Sequence, residues 1–246
     1  MFSAGDTAFV IICAVLVVLM TPGLAFFYGG MGRRKNMVNN LMNAAFIIGL
    51  GVVLYMLIGY SLSFGESKSI NLFIGSLKNL CLFGINANSL FGSIPTFAFV
   101  AFQMAFALIT PAIITGSVAG RMRFKALFIF IALWSVFVYY PLAHMVWGGG
   151  LIGGTIGALD FAGGDVVHIS SGTTGLLLAI LLGKRVDYMQ VSYRMHSVPF
   201  VFLGMGLLLF GWFGFNSGSA LAANGLAAHA FMTTAVASCA GMLTWI

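Results

Sequence analysis

Charged residues are scarce in this chain: Lys, Arg, Asp and Glu make up 7% of 246 residues, and five are acidic. A soluble domain carries a far denser charged surface, so that class is excluded. The three cysteines, Cys13, Cys81 and Cys239, have neither metal-ligand nor redox spacing. They are expected to be buried thiols that pack as small apolar side chains. The first apolar run has no basic segment before it, so it is expected to be a membrane span and not a cleaved leader. No low-complexity linker, soluble domain or sequential repeat is visible. No Ser-His-Asp or Cys-His arrangement supports a hydrolase, and no enzyme activity is expected.

What the chain does have is apolar surface: 61% hydrophobic residues, a mean hydropathy of +1.06 and 24 Phe. A soluble core cannot hide that much, because burial is limited by surface-to-volume scaling. The fold class is therefore all-α, a polytopic transmembrane bundle occupying residues 1–246 as one membrane domain. Thirty-two Gly suit helices in close contact, since small residues let backbones approach in lipid.

Crossing a hydrocarbon core of roughly 30 Å takes about 20 residues. Seven runs qualify: 8–32, 37–64, 96–119, 126–147, 166–183, 198–218 and 228–246. Loops one, three and five hold "RRK" (Arg33, Arg34, Lys35), "RMRFK" (Arg121, Arg123, Lys125) and "KRVDYMQVSYR" (Lys184, Arg185, Arg194). That is nine of the eleven basic residues; Lys68 and Lys78 lie in the second loop. The net charge of +6 therefore reads as membrane orientation and not as nucleic-acid binding. The positive-inside rule puts those loops in the cytoplasm and the N-terminus outside, with lipid of the cell (inner) membrane around the spans. Asp6, Glu66, Asp160 and Asp165 then fall outside. Run seven stops at Ile246 without a basic flank, so the native chain is expected to continue. Runs one and six end in similar patches, "LAFFYGG" and "GWFGFNSG", as inverted halves would allow.

The stretch "LDFAGGDVVHISSG", Leu159–Gly172, places two carboxylates and a histidine ahead of the apolar run "GLLLAILLG". With a helix starting near Asp165, His168, Ser171, Gly172, Gly175 and Ala179 share one face. The opposite side carries Leu176, Leu177 and Ile180. A histidine on a small-residue face is expected to point into protein, and an intramembrane ionisable group marks a pathway or relay. The plainer alternative is a hydrogen bond to a neighbouring helix. Asp160 or Asp165 caps the helix start; Asp160 would also draw a cation toward an outer vestibule. Trp147, beside "GGG", is either an interfacial belt residue or a face for cation–π contact. His144, His196 and His229 show no metal-ligand spacing, and haem ligation by His144 and His168 is disfavoured. The glycine-rich stretches do not follow strands, so no phosphate loop and no cofactor is expected.

The blocks "DTAFVIICAVLVVLMTPGLAFFYGG", "FQMAFALITPAIITG", "PLAHMVWGGGL", "LDFAGGDVVHISSG" and "GWFGFNSGSAL" occur in this order along the chain. In them the sequence resembles the Amt/Mep/Rh ammonium transporter family, in particular its Amt branch. The resemblance implies an eleven-helix subunit with an inverted five-helix repeat, assembled as a homotrimer with one pore per subunit. The present residues correspond to helices one to six and most of seven. Position by position, Phe106, Trp147 and Ser219 would form the outer ammonium recruitment site, supported indirectly by Asp160. Phe106 and Phe215 would be the stacked gate, and His168 the first of two pore histidines, the second belonging to the tenth helix. At "RMHSVP" this chain keeps His196 but lacks the preceding proline of relatives, a change expected in a cytoplasmic loop. The function implied is ammonium recruitment, deprotonation at the gate and passage of ammonia along a histidine-lined pore. The alternative implied is an Amt-like sensor coupled to a cytoplasmic signal-transduction protein or fused signalling domain. A gas channel of the Rh type fits the motif wording less well.

Overall fold

The structure is a computed structural model that describes residues 1–66 and 71–245, so Lys68 and Ile246 lie outside the described residues. Among the described residues, seven apolar helices are long enough to cross a membrane. They are α1 (Ala4–Met31), α2 (Arg34–Phe64), α3 (Thr96–Val118), α4 (Phe124–Ile156), α5 (Gly164–Leu182), α6 (Val198–Gly218) and α7 (Gly225–Trp245). Each lies on one of the seven hydropathy runs. The largest departure is α4, which bends at Gly148–Gly150 and continues through a π-helical turn, Leu151–Ile156, past the expected end at Trp147. π turns also interrupt α2 at Tyr55–Gly59 and α4 at Ser135–Tyr139, and another opens α5 at Gly164–Ile169.

Helix α3 is the most enclosed and α7 the least. Around α3 the core is a block of rings and small residues, including Phe99, Phe102, Phe106 and Ala105. The most extensive helix pair is α1 with α6. Glycine makes that contact: a Cβ on Gly204 would lie 2.4 Å from the Phe27 nitrogen and 2.6 Å from the Gly23 carbonyl oxygen. Backbone meets backbone there, as small residues permit. Polar links are few. Tyr28 Oη donates to the Ile113 carbonyl at 3.1 Å, Trp134 Nε1 to Thr174 Oγ1 at 3.0 Å, and Asn216 Nδ2 to Thr234 Oγ1 at 2.8 Å.

At the end of the bundle away from the basic loops, a short hairpin of β1 (Leu90–Phe91) and β2 (Ile94–Pro95) pairs Leu90 with Pro95 and Phe91 with Ile94. Asp6 on α1 ties this end together. Its carboxylate accepts from Ser93 Oγ at 2.6 Å and from the Ala223 amide at 2.8 Å, joining α1 to the hairpin and to the α6–α7 turn. His144 is fully buried in α4, with its ring nitrogens 3.0 Å from the Ser63 carbonyl and 2.7 Å from the Asn71 carbonyl. It holds the loop after α2 against α4.

The cysteine expectation holds for one of three residues. Cys13 is buried against α6, whereas Cys81 and Cys239 are exposed. Cys81 sits in a loop at φ +51, and Cys239 lies on the open side of α7, which packs only against α6 to any extent.

Candidate functional site

The site is built on the start of α5. Gly163 adopts φ +93, a left-handed conformation that costs glycine little and other residues much. Its own amide and the three that follow converge on one side chain. Asp160 Oδ1 accepts from Gly163 N at 2.5 Å and Gly164 N at 2.7 Å; Oδ2 accepts from Asp165 N at 2.8 Å and Val166 N at 3.0 Å. These are the orphan donors of a helix N-terminus, here all met by one carboxylate. Of the two capping candidates Asp160 is therefore the cap, and Asp165 is one of the residues it caps.

The carbonyl of Asp160 does a second job, accepting from Trp147 Nε1 at 2.8 Å. One residue thereby fixes both the start of α5 and the indole at the end of the first part of α4. Trp147 is half-buried, and its ring stands edge-on to Phe106, with centroids 5.8 Å apart at 88°. Phe106, on α3, lies 4.3 Å from Phe215 of α6 at an interplanar angle of 31°. Both phenyl groups are 1% exposed. Below them the His168 imidazole is 5.9 Å from the Phe215 ring. Trp147, Phe106, Phe215 and His168 thus form one unbroken series of ring contacts.

Above this series is a cavity of about 450 Å³ whose walls include Phe64, Phe99, Phe102, Phe106, Trp147 and Asp160. Ser219 also faces it, at the end of α6. Its hydroxyl donates to the Phe215 carbonyl at 2.9 Å, so its free lone pairs remain acceptors. Phe91 of the hairpin stacks on Phe99 at 3.8 Å and 11°, extending the aromatic wall to the mouth.

Ser171 and Gly175 are buried, but His168 and Gly172 are exposed on the described chain. The imidazole does not point into a closed interior; it stacks on Trp212 of α6 at 5.5 Å and 9°.

Two residues of the site went unselected in the sequence. Gln103 lines the cavity as its one side-chain amide, and the signal for it was a lone polar residue in "AFQMAF". Trp212, the partner of His168, stood in the quoted "GWFGFNSG" but looked like one more aromatic among many. Among the described residues no group of three or more His, Cys, Asp or Glu could hold a metal ion.

These features define a multi-pass α-helical membrane protein with an aromatic cup at one end, closed below by stacked rings. The chain belongs to the Ammonium Transporter Family, whose model matches residues 8–246. An ammonium transporter of Bacillus subtilis is 50% identical over 244 residues, covering 98% of this chain and 59% of the relative. Ammonium transporter Amt1 of Archaeoglobus fulgidus is 43% identical over 244 residues, covering 99% of this chain and 60% of the relative. The crystal structure of Candida albicans Mep2 superposes with a TM-score of 0.90 at 34% identity, covering 99% of this chain and 54% of that one. This chain therefore spans about three-fifths of the length of the curated relatives it matches.

Proposed function

We propose that the protein carries ammonium nitrogen across the membrane, taking up ammonium at the aromatic cup and passing ammonia beneath it. The observation that carries this reading is the contact series Trp147–Phe106–Phe215–His168, which runs from an open cup to an imidazole.

The chemistry follows from what each wall offers. A cation over an aromatic face gains about 0.5–2 kcal/mol, more when water is excluded. Ser219 supplies an acceptor for an N–H, and it stands at the C-terminal end of α6, where the helix dipole favours positive charge. The Asp160 carboxylate is occupied by backbone amides and keeps the local potential negative, while the backbone carbonyl of the same residue holds Trp147 in place. A bare cation deep in a membrane costs several kcal/mol or more. Ammonium can avoid that cost by leaving a proton at the Phe106/Phe215 constriction and moving on as a neutral molecule. A potassium ion has no such option. His168 then offers ammonia one donor and one acceptor in its neutral form. A second imidazole from the remainder of the full-length chain would complete the wall beside it.

In the same reading the bundle assembles as a trimer in the cell (inner) membrane, with the cup and the N-terminus outside and the basic loops in the cytoplasm. The sensor alternative is not favoured, because the curated relatives described above are named as transporters. The direct test is uptake of labelled methylammonium by proteoliposomes carrying the full-length protein. Strong loss is expected for Trp147→Leu and a changed rate for His168→Ala; unchanged uptake in both variants would sink the assignment.

A further inference from the structure

The opposite end of the bundle contains a second cavity, which the transport reading does not use. It has a volume of about 450 Å³ and lies at the ends of α1, α3 and α5, where Gly120 and Leu182 mark the edge of the apolar region. Five cations line it: Arg33, Lys35, Arg121, Lys184 and Arg185. Among the described residues the only carboxylate facing it is Asp187, and that charge is already taken. Arg33 Nη1 lies 2.5 Å from Asp187 Oδ2, and Tyr193 Oη donates to the other oxygen. Arg33 also stacks over the Tyr193 ring at 3.8 Å, with Arg185 at 5.2 Å from the same ring.

Subtracting that pair leaves four cations without a carboxylate among the described residues. Arg121 is fixed in position: its Nη1 donates to the Gly183 carbonyl at 2.8 Å, and its Nη2 to that of Ser117. Carbonyls hold a guanidinium but do not neutralise it, and its buried Nε has no partner. The three basic loops, distant in sequence, thus build a walled pocket of uncompensated positive charge at the membrane boundary. Stacking on Tyr193 holds Arg33 and Arg185, and carbonyl ties hold Arg121, so three of the five charges are fixed in place while Lys35 and Lys184 are exposed beside them.

We propose that this pocket binds a phosphate ester anion, supplied either by an anionic lipid headgroup or by a soluble phosphate compound. Guanidinium groups match phosphate oxygens in a fork, and lysines add point charges on flexible stems. Basic pockets between transmembrane helices on one membrane side take lipid phosphates for this reason, each nearby cation contributing about 1 kcal/mol.

The test uses the full-length protein in neutral detergent, with Lys35→Gln/Lys184→Gln as the variant and Arg123→Gln, outside the pocket, as the control. Both lysines are exposed, so the variant is expected to fold. One arm measures phosphatidylglycerol binding by native mass spectrometry, with phosphatidylcholine for comparison. The other measures inorganic pyrophosphate binding by calorimetry. At least one probe should bind the parent, with affinity falling as salt rises. The double variant should bind it roughly 25-fold more weakly, about fivefold per cation removed, and Arg123→Gln should match the parent. The arm that responds identifies the source of the phosphate. The proposal is overturned if neither probe binds the parent, if the double variant binds as the parent does, or if Arg123→Gln weakens binding equally. Neither readout involves ammonium, so failure here leaves the transport reading untouched.

Discussion

Replacing Asp160 with asparagine changes one oxygen for an amide nitrogen and should disturb far more than its size suggests. The retained oxygen can still serve Gly163 and Gly164. The new NH₂ would face the amides of Asp165 and Val166, donor against donor, so two bonds are lost. Hydrogen bonds to a charged group contribute about 1.5–3 kcal/mol each. Val166 is fully buried and its amide finds no water, whereas the half-buried Asp165 recovers part of its loss. The expected cost is therefore about 2–4 kcal/mol, above the roughly 0.5–2 kcal/mol of an ordinary helix cap. Unfolding of the full-length protein in detergent measures it. Because the Asp160 carbonyl also holds Trp147, a cycle with Trp147→Phe should show coupling of about 1 kcal/mol or more. An Asp160→Asn protein within about 0.5 kcal/mol of the parent, or a cycle without coupling, would refute the convergence of four amides on one carboxylate as the organising element of the site.

Other perturbations address separate parts of the structure. Trp147→Leu removes a ring from the cup and should raise the half-saturation concentration for methylammonium uptake about 2- to 30-fold, the range of a lost cation–π contact; an unchanged value would remove the indole from recruitment. Gly163→Ala forces a side chain into φ +93 and sets its Cβ 2.6 Å from Val167 Cγ2, so a loss of about 1–3 kcal/mol is expected in the same unfolding assay. Gly204→Ala places a methyl against the Phe27 and Gly23 backbones and should lower the yield of folded protein, with Gly206→Ala, which meets nothing within 4 Å, as the silent comparison. The Asp187 carboxyl, outside the spans, is lowered from 3.8 to about 2, first by the Tyr193 hydroxyl and then by Arg33. A depressed carboxyl contributes stability above its ordinary value and loses it as pH falls toward the folded one, so the tie between loop five and Arg33 should persist at pH 4 and release toward pH 2. Carbon NMR titration of the carboxyl reads this directly, and a midpoint near 3.8 would contradict it.

Hydropathy made the seven spans legible because lipid demands about twenty apolar residues whatever their packing. The end of α4 was not, because Gly148–Gly150 looks like a terminus when it is a bend followed by a π turn. At the site, the types were readable and the geometry was not. Asp160 and Asp165 both precede the helix at distances compatible with capping, and only the fold of Gly163–Gly164 decides between them. Gln103 and Trp212 went unselected because, in a chain with 24 Phe, an amide or indole in an apolar run carries no mark of the neighbour it will meet.

The α1–α6 contact also sets a timetable. Gly23 and Gly204, whose backbones touch, are about 180 residues apart in the chain (204 against 23). At a synthesis rate of roughly 5–20 residues per second, the first helix waits about 10–40 s for its principal neighbour. During that interval its glycine-bearing face must be sheltered by lipid or by insertion machinery. Biogenesis, and not only the finished bundle, is therefore exposed to any change that makes this face stickier, and Asp6 cannot close the hairpin end of the bundle until the turn carrying Ala223 has emerged.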